Sequence, residues 1–171
     1  MYISVEFPVS IPASNVAENC VQQLLRTGQT VALAESCTGG LVAKTITDIA
    51  GASNVFECGV VSYSNRIKSL VLGVLPETIE QYSVVSPEVA VEMACGVRTL
   101  SGASYGIGIT GVAGPGPDGP HPEGEIYLAL SDGSNNFVVS IPPEERGRTA
   151  NRQLAAEQAL SLLAVNLLEH E

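Results

Sequence analysis

The chain has 171 residues, 45% of them hydrophobic, with 8 basic against 18 acidic side chains and a net charge of −10. That length carries one domain, residues 1–171, with a substantial core, and the acidic balance argues against a nucleic-acid partner, which needs a basic face. No apolar run approaches the roughly 20 residues of a membrane span, and the start, Met1-Tyr2-Ile3-Ser4-Val5-Glu6, lacks the basic n-region of a secretory signal, so the expected location is cytoplasmic, away from the membrane.

Residues 1–12 are an apolar, β-prone extension broken by Pro8 and Pro12, compatible with an edge strand, an arm on a partner subunit in a homo-oligomer, or a loose end. A helix starts at Ser14, with Val16, Cys20, Val21, Leu24 and Leu25 on one face, and ends at Gly28. A strand follows over 30–35, then a turn at Ser36, then a helix to about Ala50. Val55 to Tyr63 reads as a largely buried strand, and Ser64-Asn65 caps a short helix closed by Gly73. Pro76-Glu77-Thr78-Ile79 starts another short helix. Ser86 and Pro87 occupy the N-cap and first position of a longer one that turns Val89, Ala90, Met93, Ala94 and Val97 inward and stops near Ser101-Gly102. Ala103 to Thr110 is a strand, and the Gly- and Pro-rich segment 111–120 is a loop at its end. Glu125 to Ser131 and Phe137 to Ile141 pair as a hairpin around Asp132-Gly133-Ser134-Asn135. The last helix, Arg146 to Leu168, turns Leu154, Ala155, Ala159, Leu162, Leu163 and Leu167 inward. Alternation of helices and strands followed by a hairpin predicts an α/β fold: a three-layer α/β/α sandwich around a mostly parallel mixed sheet with one antiparallel strand.

The chemistry centres on Glu35-Ser36-Cys37-Thr38-Gly39-Gly40, a hydroxyl, a thiol and two glycines at a strand-to-helix turn. Such a turn offers free backbone N–H groups and the positive end of a helix dipole, suited to an oxyanion; Ser36 and Thr38 serve equally as simple helix caps. Cys37 is a rival nucleophile, because a helix N-terminus lowers a thiol pKa. The other cysteines, Cys20, Cys58 and Cys95, lack Cys-x-x-Cys spacing, and with two histidines in the chain no zinc site is expected. His121, between two prolines, and His170, beside the C-terminus, are poor bases for Ser36. Lys68 is the substitute base, provided that desolvation or neighbouring positive charge lowers its pKa. Tyr63 joins it only if the tyrosine ends the strand and the lysine lies in the next helix, since five residues within one helix face apart. Gly111-x-x-Gly114-x-Gly116 allows close backbone approach to a ligand but is neither a P-loop nor a dinucleotide fingerprint. Arg66/Lys68 and Arg146/Arg148/Arg152 are candidate anion sites in this acidic chain.

Four segments in order carry a more specific signal: Ala34-Glu35-Ser36-Cys37-Thr38-Gly39-Gly40, Tyr63-Ser64-Asn65-x-x-Lys68, Gly108-Ile109-Thr110-Gly111-Val112-Ala113-Gly114-Pro115-Gly116, and Gly124-x-Ile126-Tyr127-Leu128-Ala129-Leu130. With Val84-x-Ser86-Pro87-Glu88 and Arg148-x-x-x-Arg152, the chain resembles the CinA C-terminal domain family, the nicotinamide mononucleotide deamidases, over roughly residues 14–168. The resemblance implies a stand-alone form without the N-terminal domain that family members often carry. It implies hydrolysis of the carboxamide of nicotinamide mononucleotide to nicotinate mononucleotide and ammonia, in pyridine-nucleotide recycling. Ser36 is the implied nucleophile, activated by Tyr63 and Lys68. Cys37, Thr38, Gly39, Gly40, Thr110 and Gly111 are placed around the substrate, with Arg148 near its phosphate. No cofactor or metal is implied. The segment 117–123, with His121, fits the family pattern least. The competing reading of the same fold is a non-catalytic nucleotide-binding or regulatory module.

Overall fold

The computed structural model describes residues 1–6 and 13–168. A six-stranded mixed sheet has the order β1-β6-β5-β4-β2-β3, with β1 Ile3–Ser4, β2 Val31–Glu35, β3 Phe56–Val61, β4 Tyr105–Gly111, β5 Ile126–Ser131 and β6 Asn136–Ile141. β3, β2 and β4 are mutually parallel, β5 runs against both of its neighbours, and β1 lies parallel to β6. The mostly parallel sheet with one antiparallel strand is therefore as expected. The N-terminal extension provides a short edge strand; the rest of it, residues 7–12, lies outside the described residues.

The two faces of the sheet are packed differently. On one face α1 (Ala13–Thr27), α2 (Leu41–Thr47) and α6 (Arg148–Leu168) cover the large side chains Leu33, Ile107, Ile109, Leu128 and Leu130. On the other lie α3 (Asn65–Leu72), α4 (Pro76–Tyr82) and α5 (Pro87–Ser101). Here the sheet presents Ala32, Ala34, Gly106, Gly108 and Ala129, so α5 comes very close. A Cβ on Gly108 would lie 2.2 Å from the carbonyl oxygen of Ala90, and one on Gly106 would lie 2.1 Å from that of Ala94. Glycine in these strand positions is thus a packing requirement.

Local signals set the element ends. Ser64 and Ser86 accept the N–H groups of Ile67 and Val89 as N-caps, Pro87 opens α5, and Gly73 and Gly102 close α3 and α5 in left-handed conformations. All five residues expected on the inner face of α5 are buried. Other expectations are corrected. The helix expected to reach Ala50 stops at Thr47 and gives way to a turn through Gly51 and a short 3₁₀ segment, Ala52–Asn54. The strand expected to be largely buried is the sheet edge β3, where alternate residues Glu57, Gly59 and Val61 face solvent. On α1, Leu25 is exposed and Ala17 is buried instead. α6 begins at Arg148 rather than Arg146, and it buries Ala156 and Leu160 more deeply than Leu154.

Candidate active site

The C-terminal ends of the parallel strands β2, β3 and β4 lie side by side, where an open α/β sheet places its ligand. β2, the middle one, ends in Glu35, whose side chain is buried. Its carboxylate accepts the N–H groups of Gly40, Val42 and Ala43 at 3.0, 3.2 and 2.8 Å. Glu35 therefore satisfies the α2 N-terminus from inside, and that helix end is not open to a ligand as the sequence suggested. The intervening turn is closed by Gly39 N–H donating to Ser36 O, and Gly39 and Gly40 both have positive φ, 60° and 92°. Ser36 is left at the strand end, its N–H donating to Ile109 O of β4 at 3.1 Å. The N–H groups of Cys37 and Thr38 have no acceptor among the described residues.

Lys68 reaches this point from α3. Ser64 starts that helix just beyond the end of β3, which turns the fourth helical residue, Lys68, under the sheet end. Its side chain is 1% exposed. Nζ donates to the Ser62 carbonyl at 2.7 Å and lies 3.0 Å from Ser36 Oγ. Among the described residues it forms no ion pair. Burial lowers its pKa from 10.5 to about 8, an effect only partly opposed by the Cys37 thiol. A buried amine that spends a usable fraction of its time neutral has one lone pair, and the Ser36 hydroxyl is the donor in reach of it.

The rival nucleophile fares differently. Cys37 is buried, and desolvation pushes its thiol up to about 12 despite the neighbouring Lys68 and Arg152. The expectation of an activated thiol is therefore corrected: loss of solvent outweighs what the turn provides.

Ser36 and Lys68 open into a cavity of about 320 Å³, within the size range of small-molecule sites. Cys37, Tyr63, Thr110, Gly111 and Arg148 also line it, together with the loop 112–118. Thr38, Gly39 and Gly40 stand outside the lining: Thr38 is buried with its carbonyl accepting from Arg152 Nη2 at 2.7 Å, and the Gly40 N–H is taken by Glu35. Tyr63 stands two residues beyond the end of β3, is 62% exposed, and sits at the mouth. Its hydroxyl accepts from Arg148 Nη2 at 2.9 Å, while Arg148 Nη1 donates to Gly114 O at 2.8 Å. Tyr63 thus bonds the rim arginine rather than Ser36 or Lys68. Thr110 Oγ1 donates to Val84 O at 2.8 Å, which fixes the segment before α5 as one wall.

The opposite wall, the Gly/Pro loop, is latched by Glu123, which the sequence did not single out. Its carboxylate accepts from Gly116 N at 2.7 Å and from Gly147 N at 3.0 Å, just before α6, and Asn151 Nδ2 donates to Ala113 O at 3.1 Å. One buried acid therefore holds the loop and the start of the Arg148 helix in a fixed relation. Among the described residues no group of three or more His, Cys, Asp and Glu is arranged to hold a metal ion, and no helix is long and apolar enough to cross a membrane.

The family model of the CinA C-terminal domain matches residues 13–167. The chain belongs to this family. A CinA-like protein of Desulfovibrio desulfuricans is 48% identical over 146 residues, 84% of this chain and 34% of that protein. A putative competence-damage inducible protein of Caldanaerobacter subterraneus is 43% identical over 137 residues, 80% of this chain and 33% of that one. The chain thus spans about a third of the length of these curated relatives. The crystal structure of the competence/damage inducible protein CihA from Agrobacterium tumefaciens superposes with a TM-score of 0.87 at 34% identity, covering 96% of this chain and 99% of that one. The four motifs that suggested a CinA-type domain thus fall inside the matched region.

Proposed function

We propose that this CinA-family domain is an amidohydrolase that cleaves the carboxamide of nicotinamide mononucleotide, giving nicotinate mononucleotide and ammonia. The observation that carries the reading is Lys68 Nζ, buried and 3.0 Å from Ser36 Oγ, at the floor of a small-molecule cavity. Ser36 Oγ attacks the amide carbon as neutral Lys68 takes the hydroxyl proton. The N–H group of Cys37, uncommitted elsewhere and on the cavity lining, is a candidate donor to the tetrahedral oxyanion, where one such donor contributes about 10²–10³ in rate. Lys68 then hands the proton to the departing nitrogen, which leaves as ammonia. Water repeats the sequence on the acyl-serine and regenerates the free hydroxyl. At the mouth, the Arg148 guanidinium offers a mononucleotide phosphate a charged donor, and the Tyr63 hydroxyl, accepting from Arg148, keeps its own proton for the ligand.

The test is ammonia release from nicotinamide mononucleotide by the purified chain, by Ser36→Ala and by Lys68→Ala. The reading expects turnover by the first and losses of at least about 10²-fold in the variants. Full rate in either variant ends it. Calorimetric binding of the nucleotide without any ammonia supports the alternative, a nucleotide-binding module of the same fold.

A further inference from the structure

His121, set aside as a base for Ser36, has partners of its own. Its Nε2 lies 2.7 Å from Ser83 Oγ, and its Nδ1 lies 2.9 Å from Glu125 Oε2. The other carboxylate oxygen of Glu125 accepts from Tyr127 OH at 2.9 Å. Burial, followed by this bond to Glu125, pushes the Tyr127 hydroxyl up to about 12, so it remains a donor. With Nδ1 donating to the Glu125 carboxylate, a neutral imidazole offers Nε2 as the acceptor for the Ser83 hydroxyl. We propose that Ser83, His121 and Glu125 form a second nucleophilic centre, a Ser–His–Glu relay that accepts acyl groups from neutral carboxylic esters.

The backbone supports this reading. Ser83 is the one non-glycine residue of positive φ among the described residues, at φ 73° and ψ 158°, a region usually left to glycine. It is held there at both ends, with its N–H donating to Ile79 O and its carbonyl accepting from Ser86 Oγ. His121 is fixed by paired backbone bonds to Asp118 across Gly119-Pro120. All three residues keep some exposure, with the His121 and Glu125 side chains 16% and 18% exposed, which leaves an edge of the network open to solvent. None lines the Ser36 cavity, although Ser83 directly precedes Val84 and Val85, which do. The N–H of Val84, the residue after the serine, has no acceptor among the described residues and is available to the oxyanion, as at other serine nucleophiles. A single such donor suits an ester with a good leaving group better than an amide. Glu88, whose charge reaches Tyr127, and Asp118 beside His121 disfavour an anionic acyl group.

In the reaction Ser83 Oγ bonds to the acyl carbon while its proton passes to His121 Nε2. The ester C–O bond breaks and the alcohol leaves with that proton. Water, giving a proton to His121, bonds to the acyl carbon; the acyl C–Oγ bond breaks, the acid leaves, and His121 returns the proton to Ser83 Oγ.

The probes are a fluorophosphonate, with the adduct mapped by peptide mass spectrometry, and p-nitrophenyl acetate, with turnover read by absorbance. The full chain is used as wild type and as Ser36→Ala, which separates this centre from the proposed amidase. The Ser36→Ala chain is expected to keep an adduct on Ser83 and a measurable ester turnover that depends on it. Made in the Ser36→Ala chain, Ser83→Gly removes the second hydroxyl while suiting the backbone, and it should abolish both. His121→Ala should slow labelling about 100-fold or more, and so should His121→Gln, which keeps a polar side chain but cannot act as base. Absence of a Ser83 adduct on a cooperatively melting Ser36→Ala chain would overturn the proposal. Unchanged labelling after His121→Gln would do the same and leave the network as a clamp between α4 and the loop.

Discussion

Lys68 links the chemistry of the site to a measurable property of the fold. Its pKa falls from 10.5 to about 8 on folding because the side chain is 1% exposed, and a fall of that size corresponds to roughly 3 kcal/mol. The sign follows from proton counting. Below pH 8 both states carry the proton and the full cost of burying the charge is present. Between about 8 and 10.5 the folded state has released the proton while the unfolded chain still holds it, so stability rises with pH. Above 10.5 both are neutral and the gain is complete. The comparison chain is Lys68→Met, of similar length and without the charge. It leaves the Ser62 carbonyl without its donor, an offset of about 1–3 kcal/mol that does not vary with pH. Denaturant unfolding of both chains at half-unit steps from pH 7 to 10.5 isolates this one group, because titrations shared by the two chains cancel. Wild type should gain roughly 3 kcal/mol on Lys68→Met across that interval, equivalent to about 6–12 °C in melting temperature. Parallel pH curves for the two chains would refute the claim that folding lowers the Lys68 pKa to about 8.

Gly108→Ala should destabilise the chain by about 1–3 kcal/mol or more in denaturant titration, because the new Cβ meets the Ala90 carbonyl at 2.2 Å. Arg148→Ala removes the rim cation and its bonds to Tyr63 and Gly114, so KM for the nucleotide should rise about tenfold or more with a smaller change in kcat. Cys37, with its thiol pushed up to about 12, should resist iodoacetamide at pH 8 while the half-buried Cys58 and Cys95 react, as peptide mapping will report.

Features written in local chemistry were legible in the sequence. Ser64, Ser86-Pro87, Gly73 and Gly102 mark the ends of α3 and α5 because capping depends on a few neighbouring residues. Strand order does not, so β3 read as buried although it is the sheet edge. The same division runs through the site. Ser36 and Lys68 could be nominated from their residue types and from the family resemblance, but only adjacent parallel strand ends bring them to 3.0 Å. Glu35 stands in the motif without a role of its own, because an acid at a strand end gives no sign that it turns inward to cap the following helix. For Cys37 the sequence supplied the helix start but not the burial, and burial set the direction of the shift. The family resemblance pairs Tyr63 with Lys68, whereas the hydrogen-bond partner of Tyr63, Arg148, lies 85 residues away. His121 illustrates the same limit: Ser83, which faces its Nε2, lies 38 residues away in the chain.

The pH profile of kcat/KM for ammonia release from nicotinamide mononucleotide bears most directly on whether a neutral lysine activates Ser36. The account predicts a rise of about tenfold per pH unit that levels off near 8, coinciding with the midpoint at which the folded chain begins to gain stability over Lys68→Met. A profile flat from pH 6.5 to 9.5, at roughly the bracket around that value, would contradict it.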